Sequence, residues 1–492
     1  MEKKKKQKKE TVKPLRPVFA IGNIVYTSIF FAIIAVAMLI LPRPTQSLIE
    51  QRNLAEFPEF TWEDFLNGDY TEGIAEYYND TVPYRDALKN AAAVIKSAYG
   101  VPLDDTEIHG QLVAVTEPPV VTMPRPKETT PAKTTVPDRN TAPEDSENAP
   151  ETTTAPPVTA TAPSTTSQRQ VNEIADGVIT NGQVVTKLSD GHYRGISLFG
   201  GGAGTVYAET LNRFHKELGD SVTVYSMVIP TAGEYYLPAK YDAYNASHSA
   251  FIEKINAQLD PAVVPVDAVT ALAAHTDEEI YTRTDHHWQP LGAYYAVEEF
   301  AKTAGVPFAA LDTYEKVVVD GYVGTMYTYT KSTLILNDPE QFIYYKPSND
   351  YTTYYYDTFY NFDYEFPLFV QQPVGSSYST FMGGDQKIVR IETDVKNGRK
   401  LLIFKDSYGN AEVPFFTSSF EEIYVCDMRW FDLNAVEFVK KQGITDLLAT
   451  MCSFSATGPN AEKFASKLDN PTDAERAAQN ETEAPAPETE QS

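Results

Sequence analysis

The stretch Lys400-Leu401-Leu402-Ile403-Phe404-Lys405-Asp406-Ser407-Tyr408-Gly409-Asn410 runs four apolar residues through a lysine into an acid, a serine and a glycine-containing turn. A short apolar run closed by turn residues reads as a buried strand. Ser407 then sits at the carboxyl end of that strand, which is where open α/β sheets bind their ligands. Backbone N–H groups of the turn at Tyr408 and Gly409, together with the Asn410 amide, are candidate donors to an oxyanion or to a substrate. A serine in such a place is more often a plain turn or helix cap, so Ser407 needs partners elsewhere in the chain.

Further apolar runs lie on either side, at Ile196–Phe199, Val222–Ile229, Val263–Val266, Ile423–Cys426 and Leu447–Met451. Helical spacing separates several of them, as in Tyr207, Leu211, Phe214 and Leu218, in Ala293 to Ala304, and in Ala435 to Lys441 before Gly443. Alternation of this kind predicts an α/β domain over residues 171–456, with a mostly parallel sheet covered by helices in three α/β/α layers. The Gly200–Gly204 run lacks the spacing of a nucleotide loop and reads as a strand–helix turn.

The partners for Ser407 come from Tyr281-Thr282-Arg283-Thr284-Asp285-His286-His287-Trp288. In extended backbone, residues two apart project to the same side, so Asp285 and His287 are expected to share a site. The carboxylate would hold the imidazole tautomer and stabilise its cation, while His287 takes the Ser407 proton. His286 is expected to point the other way, which argues against a metal pair; neither a metal nor a cofactor is expected. Core packing, a surface patch or a metal site are the plainer readings of such a cluster taken alone. Arg429, at the end of its strand, is a candidate for orienting substrate, with a structural ion pair as the alternative. The tyrosines between Ile343 and Phe366 are expected to pack in a half-buried β-hairpin, or else to offer faces to sugars.

The rest of the chain bounds where this chemistry works. Net charge is −26, but residues 1–16 carry +6, so the remainder is strongly acidic and a poor partner for nucleic acid. The uncharged apolar run at 18–41 follows that basic block and predicts one transmembrane helix, with residues 1–17 cytoplasmic and the rest outside the cell. Residues 45–113 read as a juxtamembrane helical region. Its Trp62, Phe65, Tyr70, Tyr77 and Tyr78 favour burial, so it is expected to pack on the α/β domain. The Thr/Pro-rich stretch 114–170 and the acidic tail 457–492 read as disordered. Cys426 and Cys452 are expected on neighbouring strands, as small buried side chains or, less simply, as a disulfide.

Asp285-His286-His287-Trp288 with Lys405-Asp406-Ser407-Tyr408-Gly409-Asn410 resembles the DHHW protein family, which is similar to the SGNH-hydrolase-like proteins of alginate O-acetylation. Gln51 to Pro58, Gly68 to Tyr70 with Asp80 to Arg85, and Asp427 to Trp430 resemble further family stretches, so the likeness spans 45–100 and 175–455. The resemblance implies an SGNH-like fold and the roles of acid, base and nucleophile for Asp285, His287 and Ser407. It implies acyl transfer, acetyl in the first instance, from a donor supplied by a multipass membrane-bound O-acyltransferase to a polysaccharide acceptor. His286 stands where the alginate proteins have threonine, and no carbohydrate-binding module follows Ser455, so the polymer stays open. A carbohydrate esterase using the same triad, and a non-catalytic glycan-binding or scaffold protein of the cell envelope, are the alternatives.

Overall fold

The protein is described by a computed structural model that covers residues 17–44, 46–47, 52–84, 106–110, 112–115, 172–175, 178–356 and 364–483. The basic residues 1–16, most of the 114–170 linker and the end of the tail lie outside the described residues. The chain divides into two compact units, Met1–Val101 and Pro102–Ser492.

In the first unit, Pro17–Ile40 forms a 24-residue helix, on which the expected membrane span falls. Among the described residues no helix is long and apolar enough to cross a membrane; the side chains of residues 17–24 lie outside them. Two short helices follow, Trp62–Asn67 and Asp69–Asp80. Thr61 caps the first, its hydroxyl accepting from the Asp64 N–H at 3.0 Å, and Gly68 at φ 100° makes the left-handed corner between them. Trp62, Phe65 and Tyr78 are exposed. Their rings pack edge-on within local clusters, Phe60 against Trp62 and Tyr77 against Tyr78.

The second unit is built on an eight-stranded sheet. Its spatial order is Tyr364–Glu365, Tyr351–Tyr356, Ile388–Thr393, Glu422–Asp427, Lys400–Lys405, Asp446–Cys452, Thr223–Ile229 and Val264–Pro265. From Glu422–Asp427 onward every pairing is parallel; the three strands on the other side are antiparallel. Lys400–Lys405 is thus a central strand with parallel neighbours on both sides. Leu401 to Phe404 are fully buried, as such strands must be when both faces are covered.

Register shows what covers each face. Ile403 pairs with Leu448, and Leu448 with Tyr225, so Ile403 and Tyr225 share a face and Phe404 points to the other. Phe404 packs on Phe214 of helix Thr205–Leu218 and Phe464 of helix Pro459–Ser466. Tyr225 packs on Phe300 of helix Pro290–Ala304. Helices therefore lie on both sides of the sheet. Each buried large side chain is worth roughly 1.5–3 kcal/mol relative to exposure.

Several expectations need correction. Tyr193–Ser197 is not in the central sheet. It joins a small antiparallel sheet with Gln183–Lys187 and Thr106–His109, so residues before the linker complete the domain. The tyrosine-rich region is not one hairpin. Glu340–Lys346 pairs with Glu315–Tyr322, whereas Tyr351–Tyr356 extends the central sheet. The chain from 457 onward is not an unstructured tail throughout. Pro459–Ser466 and Asp473–Glu483 are helices; Ala461 and Phe464 give the first a buried face, and Leu468 is buried just after it. Cys426 and Cys452 are free and buried, and the strand Lys400–Lys405 lies between theirs.

Candidate active site

Ser407 begins a 3-10 turn where the central strand ends. Asp406 forms that turn: one carboxylate oxygen accepts from the Tyr408 N–H at 3.0 Å and the other from the Cys452 N–H at 3.0 Å. The serine is thereby fastened both to its own turn and to the adjacent strand.

Residues 281–288 form a closed loop rather than an extended strand. An antiparallel bridge joins Tyr281 to Trp288, and the Thr282 hydroxyl lies 3.0 Å from the Asp285 carbonyl and 2.6 Å from that of His287. Glu340 accepts from the backbone N–H of Arg283 and Thr284. Trp288, fully buried, donates from Nε1 to the Tyr408 carbonyl at 3.0 Å, and Tyr378 donates to the same carbonyl at 3.0 Å. The Tyr408 hydroxyl donates to the His286 carbonyl. Sequence-distant segments are thus locked together around Ser407.

The result is a continuous line of hydrogen bonds. Ser407 Oγ lies 2.9 Å from His287 Nε2, and His287 Nδ1 lies 2.7 Å from Asp285 Oδ1. An ionised carboxylate only accepts, so Nδ1 carries the proton and Nε2 is left to receive that of Ser407. Asp285 Oδ1 also accepts from the His287 N–H at 2.9 Å. Its Oδ2 accepts from the Tyr322 hydroxyl and the Thr325 N–H, both at 2.8 Å. Burial pushes this carboxyl upward, but the attraction it would exert on an imidazolium at His287, with the hydrogen bonds from His287 and the Thr325 N–H, outweighs it and holds Asp285 well below the usual carboxylate range. The His287 ring is stacked on Tyr378, with centroids 3.8 Å apart and planes 7° from parallel.

His286 does not face away. The loop curls, so its ring lies 3.7 Å from that of His287, and its Nδ1 is 2.5 Å from the Thr325 hydroxyl and 3.4 Å from Asp285 Oδ1. Burial, with repulsion between two imidazolium rings this close, lowers it to about 3 and keeps it neutral. Ligand-type atoms of Asp285, His286 and His287 lie within 4.8 Å of one another. In the geometry present, Asp285 Oδ1 and both His287 nitrogens serve the Ser407 line, and Asp285 Oδ2 is held by Tyr322 and Thr325.

The other residues expected at the site are near it but otherwise engaged. The N–H groups of Tyr408 and Gly409 bind Asp406, which removes them as oxyanion donors. Asn410 Nδ2 donates to Asp385 Oδ1 at 2.8 Å. Arg429 binds Asp427 and, at 2.6 Å, Asp385 Oδ2. Lys405, fully buried, bridges Asp385 and Asp427 at 3.0 and 2.9 Å. Arg429 and Asn410 thus belong to an ion cluster behind the serine turn, held by Asp385. Tyr322, Thr325, Tyr378 and Asp385 carry no signature in the sequence; only folding brings them here.

Residues 50–426 match the family described as DHHW protein. Among solved structures, a DHHW family protein from Eubacterium siraeum is 57% identical, with a TM-score of 0.57 over 61% of this chain and 98% of that one. PatB1 of Bacillus cereus is 17% identical, TM-score 0.47, over 57% and 98% of the two chains. The O-acetyltransferase domain of AlgJ from Pseudomonas putida is 11% identical, TM-score 0.31, over 54% and 88%. No curated protein matches. With more than half of its length inside the matched region and its Asp285-His286-His287-Trp288 loop closed on Ser407, this chain belongs to the DHHW protein family.

Proposed function

We propose that this chain transfers an acyl group, acetyl in the first instance, to a hydroxyl of a cell-envelope or extracellular polysaccharide on an SGNH-hydrolase-like scaffold. The observation that carries the reading is the line from Ser407 Oγ through both His287 nitrogens to Asp285. Ser407 Oγ attacks the donor carbonyl while its proton passes to Nε2. Collapse breaks the donor's ester bond, the proton goes to the leaving oxygen, and Ser407 is left acylated. A sugar hydroxyl then gives its proton to Nε2, attacks the acyl carbon and releases Ser407. Water in place of the sugar would make the same site an esterase. The Ser407 N–H is the turn donor not tied to Asp406, and it suits the oxyanion.

The basic block at 1–16 and the uncharged apolar run at 18–41 support a single membrane anchor with the site outside the cell. There a multipass membrane-bound O-acyltransferase would supply the donor. The test is a chromogenic acetyl ester presented to the full chain in detergent. Wild type should turn it over and carry an acetyl adduct on Ser407, and Ser407→Ala should do neither; equal inertness of the two would remove the enzyme. Acetylated oligosaccharide as product, rather than free acetate, would separate transfer from hydrolysis.

A further inference from the structure

A second cleft of about 900 Å³ opens behind the catalytic loop, lined by Tyr281 and Arg283 but by none of Ser407, His287 and Asp285. Its volume falls in the range of roughly 300–1,000 Å³ typical of small-ligand sites. Arg194 stands in its wall, only 6% exposed. The guanidinium stacks over the Tyr236 ring at 4.3 Å, and its Nη1 donates to the carbonyls of Tyr281 and Thr282 at 3.2 and 2.9 Å. Its Nε has no hydrogen-bond partner, and among the described residues no carboxylate forms a salt bridge with it. Arginine stays charged even when buried. Glu340 and Glu279 are the acids that act on Arg194, without a salt bridge, so an oxygen ligand would supply hydrogen bonds that its shell lacks.

The lining also decides which ligand. Asp190, Asp277, Glu278, Glu279, Asp320 and Glu340 line the cleft with Lys187, Arg194 and Arg283 as its lysine and arginine cations; Glu340 and Glu278 are already engaged by Thr284 and Tyr295, which leaves Asp277 and Glu279 among the exposed acids. An anionic ligand would meet net repulsion, whereas sugar hydroxyls can donate to the carboxylates and accept from Arg194. We infer that this cleft binds an uncharged, polyhydroxylated saccharide and discriminates against polyuronates. As a subsite for the acceptor it rests on the acyl-transfer reading; as a saccharide site it stands apart from it. Because Arg194 holds the Tyr281 and Thr282 carbonyls, an occupant would rest against the back of the loop that carries Asp285 and His287.

Calorimetry on the full chain in detergent tests this with two probes of equal length, a pentamer of N-acetylglucosamine and a pentamer of galacturonic acid. The neutral pentamer should bind, and the acidic one about tenfold more weakly or less. Arg194→Lys should weaken the neutral pentamer about tenfold by losing the planar fork. Since that variant could disturb the loop, the exposed rim pair Asp277→Asn with Glu279→Gln gives an independent arm, and should bring galacturonate binding closer to that of the neutral probe. Failure of the neutral pentamer to bind, equal binding of both probes, or no response of either affinity to the rim pair would overturn the inference. Ester turnover that depends on Ser407 without saccharide binding rejects the cleft alone. Saccharide binding without ester turnover rejects the acyl-transfer reading alone.

Discussion

Trp288 Nε1 and the Tyr408 carbonyl meet at 3.0 Å, and through that bond the loop carrying His287 is tied to the turn carrying Ser407. Trp288 follows His287 directly and Tyr408 follows Ser407 directly. One buried contact therefore helps set the spacing of His287 and Ser407, with the second Tyr408 acceptor bond from Tyr378 reinforcing it. Reaction rates are steep in such spacing, so groups that hold the line matter as well as those that form it.

Asp285→Asn should retain the fold, because an amide can still accept from Tyr322 and Thr325. It would present a donor or a weaker acceptor to His287 Nδ1 and so disfavour the productive tautomer. Ester turnover should fall by about 10⁴-fold, measured as kcat on a chromogenic acetyl ester. A loss of less than tenfold would mean that Asp285 does not orient the imidazole.

Tyr322→Phe removes one of the four hydrogen bonds to the Asp285 carboxylate and leaves Oδ2 in a buried site with Thr325 alone. The expected cost is about 1–3 kcal/mol of stability, read by urea denaturation. The carboxyl should also rise toward its usual range. Its stabilising contribution is present above the unfolded value and is lost as pH falls through the folded one, so the variant should lose stability at a higher pH than wild type during acidification.

Gly324→Ala places a methyl against Asp285, in clash with Oδ2 and 2.5 Å from its Cβ. The neighbouring Thr325 N–H must then move away from the carboxylate. Activity should drop at least as far as in Asp285→Asn, and stability with it. A functional Gly324→Ala would show that the Asp285 pocket is far looser than described.

Glu412 is fully buried five residues after Ser407; one oxygen accepts from Thr450 at 2.8 Å and the other has no partner. Burial, with Asp406 nearby, raises its carboxyl to about 8. The folded protein then keeps a proton that the unfolded chain releases above about 4.5. Stability attributable to this group is complete below that value and is lost as pH rises toward 8. Glu412→Gln should therefore have a higher Tm than wild type at pH 8, with the gap closing by pH 5, by calorimetry. A gap that is constant across that range would place the ionisation elsewhere.

Much of the site was legible in residue order. Asp285, His287 and Ser407 could be nominated from a strand ending in a serine and from an acid two residues before a histidine, and the α/β alternation located them. His286 was misplaced because two-residue alternation holds for extended backbone, whereas the Thr282 and Glu340 hydrogen bonds curl this loop. Tyr408, Gly409 and Asn410 were nominated as donors by proximity to Ser407. Asp406 and Asp385 take those donors, and a claim on a backbone N–H is invisible until the competing acceptor is in place.

Local order in the chain determined which segments become buried strands, where a serine can be displayed, and which three side chains have the chemical character of an acid, a base and a nucleophile. Those properties depend on near neighbours, through hydrophobic periodicity and the chemical nature of each group. The tertiary structure alone decided that Tyr378 would cover the His287 ring, that Tyr322 and Thr325 would complete the Asp285 shell, and that Arg194 would line a second cleft. Such contacts join positions tens to hundreds of residues apart, and their partners are chosen by packing a closed core rather than by any pattern along the chain.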